Sequence, residues 1–332
     1  MGEATCSAFN LFLPLSEQRS LIAVRDKLHH DTKKFLNKTK LDNIFTYLLL
    51  VLEGYRDGYL IDGWSATSNC VLCLLRSLND SLALVNMTVQ IYLVAIELGP
   101  NLDDFLIIRS DRLQEKIAGL SAVKWMNAPL VIDVNGSIPA LCGEDEILYI
   151  QLSLQETFRN MWQSKADSFS VIASDKCSMT VGFPFIAGWL LGYPCVYRST
   201  YASIHEKADG PPPLGNALSM VHLRQFRLFA NINQLPDATL HKKKAHIDES
   251  SRKYERGCGN KVNSIDLFEF TVPVDLINES LPQFFALNAW LESKMIVLKE
   301  YNNSLLSKDS IFRLVDFCDI VTEDMTLPSL VL

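Results

Sequence analysis

Four signatures that announce a mechanism are missing from this chain. It has no GxGxxG, no GxxxxGK[ST], no GxSxG and no HExxH. Those absences remove the usual grounds for expecting a dinucleotide fold, a P-loop, a hydrolase elbow or a zincin helix. A positive charge balance is missing too. With 31 Lys and Arg against 38 Asp and Glu the net charge is −7, so nucleic acid and anionic lipid gain no general attraction. Nucleic acid is therefore not an expected partner. The opening stretch MGEATCSAFNLFLPLSEQRS has no basic region and carries Glu3 early, which is not a secretory pattern. Cys6 stands where a myristoylation motif wants Ser or Thr. Charge is scarcest between Cys177 and Tyr197, where no residue carries any.

That run invites a membrane reading, because about 18 apolar residues in a row suggest a span. Its punctuation points elsewhere. Pro184 suits a first helical turn, Phe185 to Leu191 supply buried surface, Gly192 can cap in the left-handed conformation, and Pro194 stops continuation. CVYRSTY then reads as a strand. The expectation is a buried helix–turn–strand unit and no membrane span.

The whole chain, at 332 residues with 48% hydrophobic and 21% charged, has room for one large α/β domain or two smaller ones. Its eight cysteines are scattered, several inside apolar runs such as NCVLCLL and GYPCVY, where a reduced thiol behaves as a small hydrophobe. A cytoplasmic location is the matching expectation. The six Asn-x-Ser/Thr sequons are then chance matches.

Residues 1–56 read as helices packed on the main domain. Ser16 caps the first, and IFTYLLLVL makes the second, from about Asp42 to Glu53. Residues 57–203 alternate strand and helix and form the core. The strands are YLI, ending at Asp62; MTVQIYLVAIEL, closed by Gly99-Pro100; PLVID, ending at Asp133; FSVIAS; and CVYRSTY. Helices from about Ser68 to Leu78, from Ser110 through DRLQEKIAGL, and over EDEILYIQLSLQETFRNMWQ separate them. Few tight hairpins interrupt the pattern, which predicts an α/β fold in three layers, a mainly parallel sheet flanked by helices. Residues 204–263 are a linker and charged insert, although LSMVHLRQFRLFANI within them is structured, helix or strand. Residues 264–332 complete the same domain with the late antiparallel edge strand SIDLFEFTVP, a long helix from about Glu279 to Tyr301 and the apolar tail TLPSLVL.

YLIDG, VIDVNGS, WLLGYPCVY, Leu223 to Phe226, LFEFTVP and TLPSLVL, in that order along most of the chain, resemble an uncharacterised animal family, that of the human chromosome 1 open reading frame 74 protein. The resemblance implies an α/β fold and carries no activity with it. IDGWSAT also resembles the first motif of haloacid-dehalogenase phosphatases, but Trp64 stands where that motif places a second acid.

The chemistry is expected where parallel strands end, because ligands bind in the crevice outside that edge. Asp62 and Asp133 both end a short apolar strand, and both precede a glycine (Gly63 and Gly136) that lets a ligand approach backbone. Two carboxylates there can hold Mg²⁺, bind a ribose or exchange a proton, and equally each can open a turn. Gly63, Asn135, Ser137, Ser174, Tyr193 and Tyr197 offer further ligand contacts at that edge. Arg224, in the apolar HLRQF stretch, can take an anion or pair with an Asp. Cys70-x-x-Cys73 has no second CxxC or paired histidines, so no metal site is expected from it. His241 and His246 flank three lysines in a stretch that reads as a solvated loop.

Two function classes stay open. One is a soluble protein that binds a small phosphorylated or nucleotide-like ligand, and hydrolyses or transfers it if it is an enzyme. The other is a non-catalytic interaction protein.

Overall fold

The computed structural model describes residues 15–52, 54–61, 67–84, 93–98, 104–121, 128–136, 138–163, 168–171, 181–199, 218, 221–232, 263–277, 282–306 and 315–326. Helix α1, Leu15–Thr32, buries Val24 and Leu28 one turn apart. Helix α2, Lys38–Leu52, starts earlier than its apolar run suggests, because the Asn37 side chain accepts a hydrogen bond from the Lys40 backbone N–H at 2.8 Å. Its last five residues are all buried, so it is a core helix. Strand β1, Gly58–Ile61, and helix α3, Ser68–Leu84, follow, and the Val71, Leu74, Leu75 and Leu78 face of α3 is buried.

Strands β2, Leu93–Leu98, and β3, Asp104–Arg109, are antiparallel, with Leu93 opposite Arg109 and Leu98 opposite Asp104. Strand β1 pairs antiparallel with the other edge of β3, and β6, Ser168–Val171, runs parallel to β2. This sheet has the order β1-β3-β2-β6. A second sheet, β5-β4-β7, has β4 (Leu130–Asp133) antiparallel to β5 (Ala140–Leu141) and parallel to β7 (Cys195–Arg198). A third is antiparallel throughout: β10 (Val315–Thr326), β8 (His222–Ile232) and β9 (Asn263–Pro273) in that order. The protein is therefore mixed helix and strand, but the expected mainly parallel sheet is wrong. Among the described residues two pairings are parallel, β2–β6 and β4–β7, and the rest are antiparallel.

Burial explains both the layering and that error. Leu93, Ala95, Phe105 and Ile107 belong to one apolar core with α1, α2 and α3. Val94, Ile96, Leu106 and Ile108 belong to a second, with α4 (Ser110–Gly119), α5 (Glu144–Gln163) and α6 (Phe183–Leu191). The first sheet is thus covered on both faces, and a strand buried on both faces reads as a continuous apolar run whatever its direction. DFLIIR was not expected as a strand. The expected cap for α4, Ser110, is its first helical residue. Arg109 holds the cap position without a side-chain capping bond, its guanidinium going instead to the Leu52 carbonyl at 2.9 Å and to the Asp111 carboxylate.

From Val181 onward the uncharged run forms the predicted helix, turn and strand. Helix α6 is buried, Gly192 ends it at φ 78°, and β7 follows. No helix among the described residues is long and apolar enough to cross a membrane. Residues 222–232 are strand rather than helix, and SIDLFEFTVP is an antiparallel edge strand. Helix α7, Pro282–Leu306, packs Leu287, Leu291 and Leu298 into the first core.

Candidate functional site

A cleft of about 980 Å³ opens between α4, the start of β4, the α5 N-terminus, the α6–β7 turn and α7. Asp57, just before β1, faces it. Its carboxylate takes Lys116 Nζ at 2.8 Å from α4 and Lys294 Nζ at 3.9 Å from α7. Burial opposes ionisation of Asp57, but the two ammoniums outweigh it and hold the carboxyl down at about 2. Gly192 packs against that carboxylate so closely that a Cβ there would collide with it.

The other wall is aromatic. Trp290 lies one helical turn before Lys294 and meets Phe268 edge-on at 5.1 Å, and Tyr193 meets the same ring at 6.1 Å. Lys294 Nζ stands 5.4 Å from the ring centres of both Phe268 and Trp290, within cation–π range. Burial, first of all, raises the Tyr193 phenol, so it stays protonated at neutral pH. The arrangement offers an ammonium pair for an anion beside flat apolar surface for a ring.

Asp133 ends β4 as expected, and its oxygens already have partners. Oδ1 accepts the Asn135 backbone N–H at 2.8 Å and its side-chain amide at 2.9 Å, an Asx turn. Oδ2 accepts Arg198 Nη1 at 3.1 Å, and that nitrogen also donates to Glu146 at 3.1 Å. Glu146 meanwhile accepts the Gly143 N–H at 2.9 Å, half of a capping box for α5. Asp133, Cys142 and Glu146 place donor atoms within 4.8 Å of one another, a spacing a cation can use, but the Arg198 guanidinium stands at both carboxylates. Burial and then Glu146 raise the Cys142 thiol despite Arg198. Arg198→Gln is expected to lower stability by about 1 kcal/mol in urea melts, since it strips the partly buried Asp133 and the exposed Glu146 of one shared charged donor.

Of the other sequence candidates, Tyr193 lines the cleft. Tyr197 donates its hydroxyl to the Thr271 carbonyl at 2.8 Å, tying β7 to β9. Arg224 pairs with Asp324 across β8 and β10 at 2.8 and 3.2 Å, the pairing foreseen as its second role. Asp62, Gly63, Ser137 and Ser174 lie outside the described residues. Strands β1 and β4, whose ends were expected to share an edge, belong to different sheets. Asp57, Lys116, Trp290 and Lys294 were missed. Only the Trp290–Lys294 spacing on one helix face was visible in sequence, since Asp57-Gly58 is ordinary turn chemistry ahead of a strand.

Fold and cleft define a mixed α/β protein with one built polar–aromatic cleft among the described residues. Residues 26–246 match a family described as a domain of unknown function (DUF4504), and the chain belongs to that family. Helix α7, with Trp290 and Lys294, lies beyond the matched span. No curated protein and no solved structure matches the chain.

Proposed function

We propose that this protein binds a small phosphorylated or nucleotide-like ligand in the Asp57 cleft, with its anionic group at Lys294 and Lys116 and its ring against Trp290 and Tyr193. The observation that carries this reading is the convergence of two ammoniums and two aromatic rings in one concave site. Lys294 is the freer cation, 31% exposed and 3.9 Å from its carboxylate partner. The sequence-based site at Asp62 and Asp133, with Mg²⁺ as its ion, is the competing location for the same ligand. We assign the family to that of the human chromosome 1 open reading frame 74 protein on the segments quoted above. The four-part division of the chain and a cytoplasmic setting belong to the same reading.

A thermal-shift screen of nucleotides and sugar phosphates, with and without Mg²⁺, tests it. A ligand at a hundred times its Kd stabilises by about 2.7 kcal/mol, a clear rise in Tm. Trp290→Ala and Lys294→Ala are expected to remove most of that rise, whereas Asp133→Asn removes it only if the ligand sits at the β4 end. No shift across the library would sink the proposal.

One observation favours the interaction-protein alternative. Leu148, Tyr149 and Leu152 on α5 are each about half exposed, and nearby in sequence Ile138 is 76% exposed. A silent ligand screen, together with a self-association or partner binding that Leu152→Glu abolishes, would support that alternative.

A further inference from the structure

Resting on the ligand reading above, we infer that the cleft selects a ligand with a single phosphoryl or carboxylate group on a ring system and discriminates against di- and triphosphates. Among the described residues lining the cleft, the cations are Lys116 and Lys294, and the carboxylates are Asp57, Glu115 and Glu144. Lys116 is committed to Asp57 at 2.8 Å. Glu115 is answered by Arg112 at 2.7 Å, so that pair brings no surplus positive charge. What is left for a ligand is the Lys294 ammonium, with three donors and a distant carboxylate partner, and a share of Lys116.

One phosphoryl, with a charge of about −1.5 to −2, already takes up all that Lys294 and the shared Lys116 can offer beside Asp57. A second and third phosphoryl would need further cations. They would instead meet Glu144, exposed at the start of α5, where a first turn of Glu144, Asp145 and Glu146 offsets the helix dipole. The site differs in this from a polyphosphate cradle, which collects backbone N–H groups and surplus Lys or Arg. The aromatic wall formed by Trp290 and Tyr193 favours a ring at the other end of the ligand.

Pyridoxal 5′-phosphate is a direct probe, since it joins one phosphoryl to an aromatic ring bearing an aldehyde. Its aldehyde condenses with a lysine amine, losing water, and borohydride reduces the imine to a stable secondary amine that mass spectrometry locates. The expected result is preferential labelling of Lys294 or Lys116 on the full chain in EDTA. Nucleoside monophosphates should protect these lysines at concentrations at least about tenfold lower than the matching triphosphates. Glu144→Gln, an exposed change, should narrow that gap. Labelling spread evenly over surface lysines would overturn the ligand reading itself. Specific labelling protected equally well by triphosphates, or a gap that Glu144→Gln leaves unchanged, would overturn the selectivity and leave the ligand reading standing.

Discussion

Gly182→Ala is expected to destabilise the protein by more than about 3 kcal/mol, enough to move its urea midpoint far below that of the parent. Gly182 sits at φ 76°, ψ 163°, a region that glycine alone enters freely. A Cβ there would overlap the backbone carbonyl of Ser199, which cannot swing aside as a flexible side chain can. The Ser199 N–H donates to the Val181 carbonyl at 3.3 Å, and the Gly182 carbonyl accepts the Ile186 N–H at 3.3 Å, the first turn of α6. Relief of the clash must therefore pull the end of β7 from the start of α6. That helix carries Phe185, Ile186, Trp189 and Leu190 into the second core, so local relief spreads into packing. Gly119→Ala is the matched control. It ends α4 with nothing within 4 Å of a new Cβ, and a gain of up to about 1 kcal/mol is expected.

This position also shows how sequence and structure divide the information. Pro184, Gly192 and Pro194 identified a buried helix, a left-handed turn and a strand in a run that hydropathy alone reads as a membrane span. Those are local constraints, written in residues whose backbone choices are few. The requirement at Gly182 was not legible, because it comes from Ser199, seventeen positions on and folded back against it. Strand direction was illegible for a related reason. FLII in β3 and LVAI in β2 are buried on both faces, so the alternation that marks a one-sided antiparallel strand is missing. Asp133 was found at a strand end, as its VIDVNG setting implies, but its partner Arg198 is set by the β4–β7 register. The cleft was the least legible of all. Asp57, Lys116 and Lys294 come from the start of β1, from α4 and from α7, and each taken alone is an ordinary surface residue of its element.

Asp57→Asn is expected to move stability and ligand affinity in opposite directions. The Asp57 carboxyl is held near 2 in the fold against an ordinary 3.8, so between those values the unfolded chain binds more protons than the native one. Stability therefore rises with pH through that window, is fully present above about pH 4, and is lost as pH falls toward about 2. The difference corresponds to about 2 kcal/mol at neutral pH. In the Asn variant that contribution is gone and Lys116 and Lys294 face each other without a carboxylate between them. Urea melts should show the loss at pH 7, and the gap between variant and parent should shrink as pH approaches 2. Asparagine keeps the size of the side chain, so Gly192 still fits against it. The freed ammoniums, meanwhile, lose the internal anion that competes with a ligand. Affinity for a phosphomonoester should then rise, on the order of tenfold, with a smaller discrimination against triphosphates. A variant less stable at pH 7 yet tighter for phosphate is the signature of a ligand site whose own carboxylate holds the place of the ligand anion. A fall in both would mean that the Asp57 cluster only holds α4, β1 and α7 together.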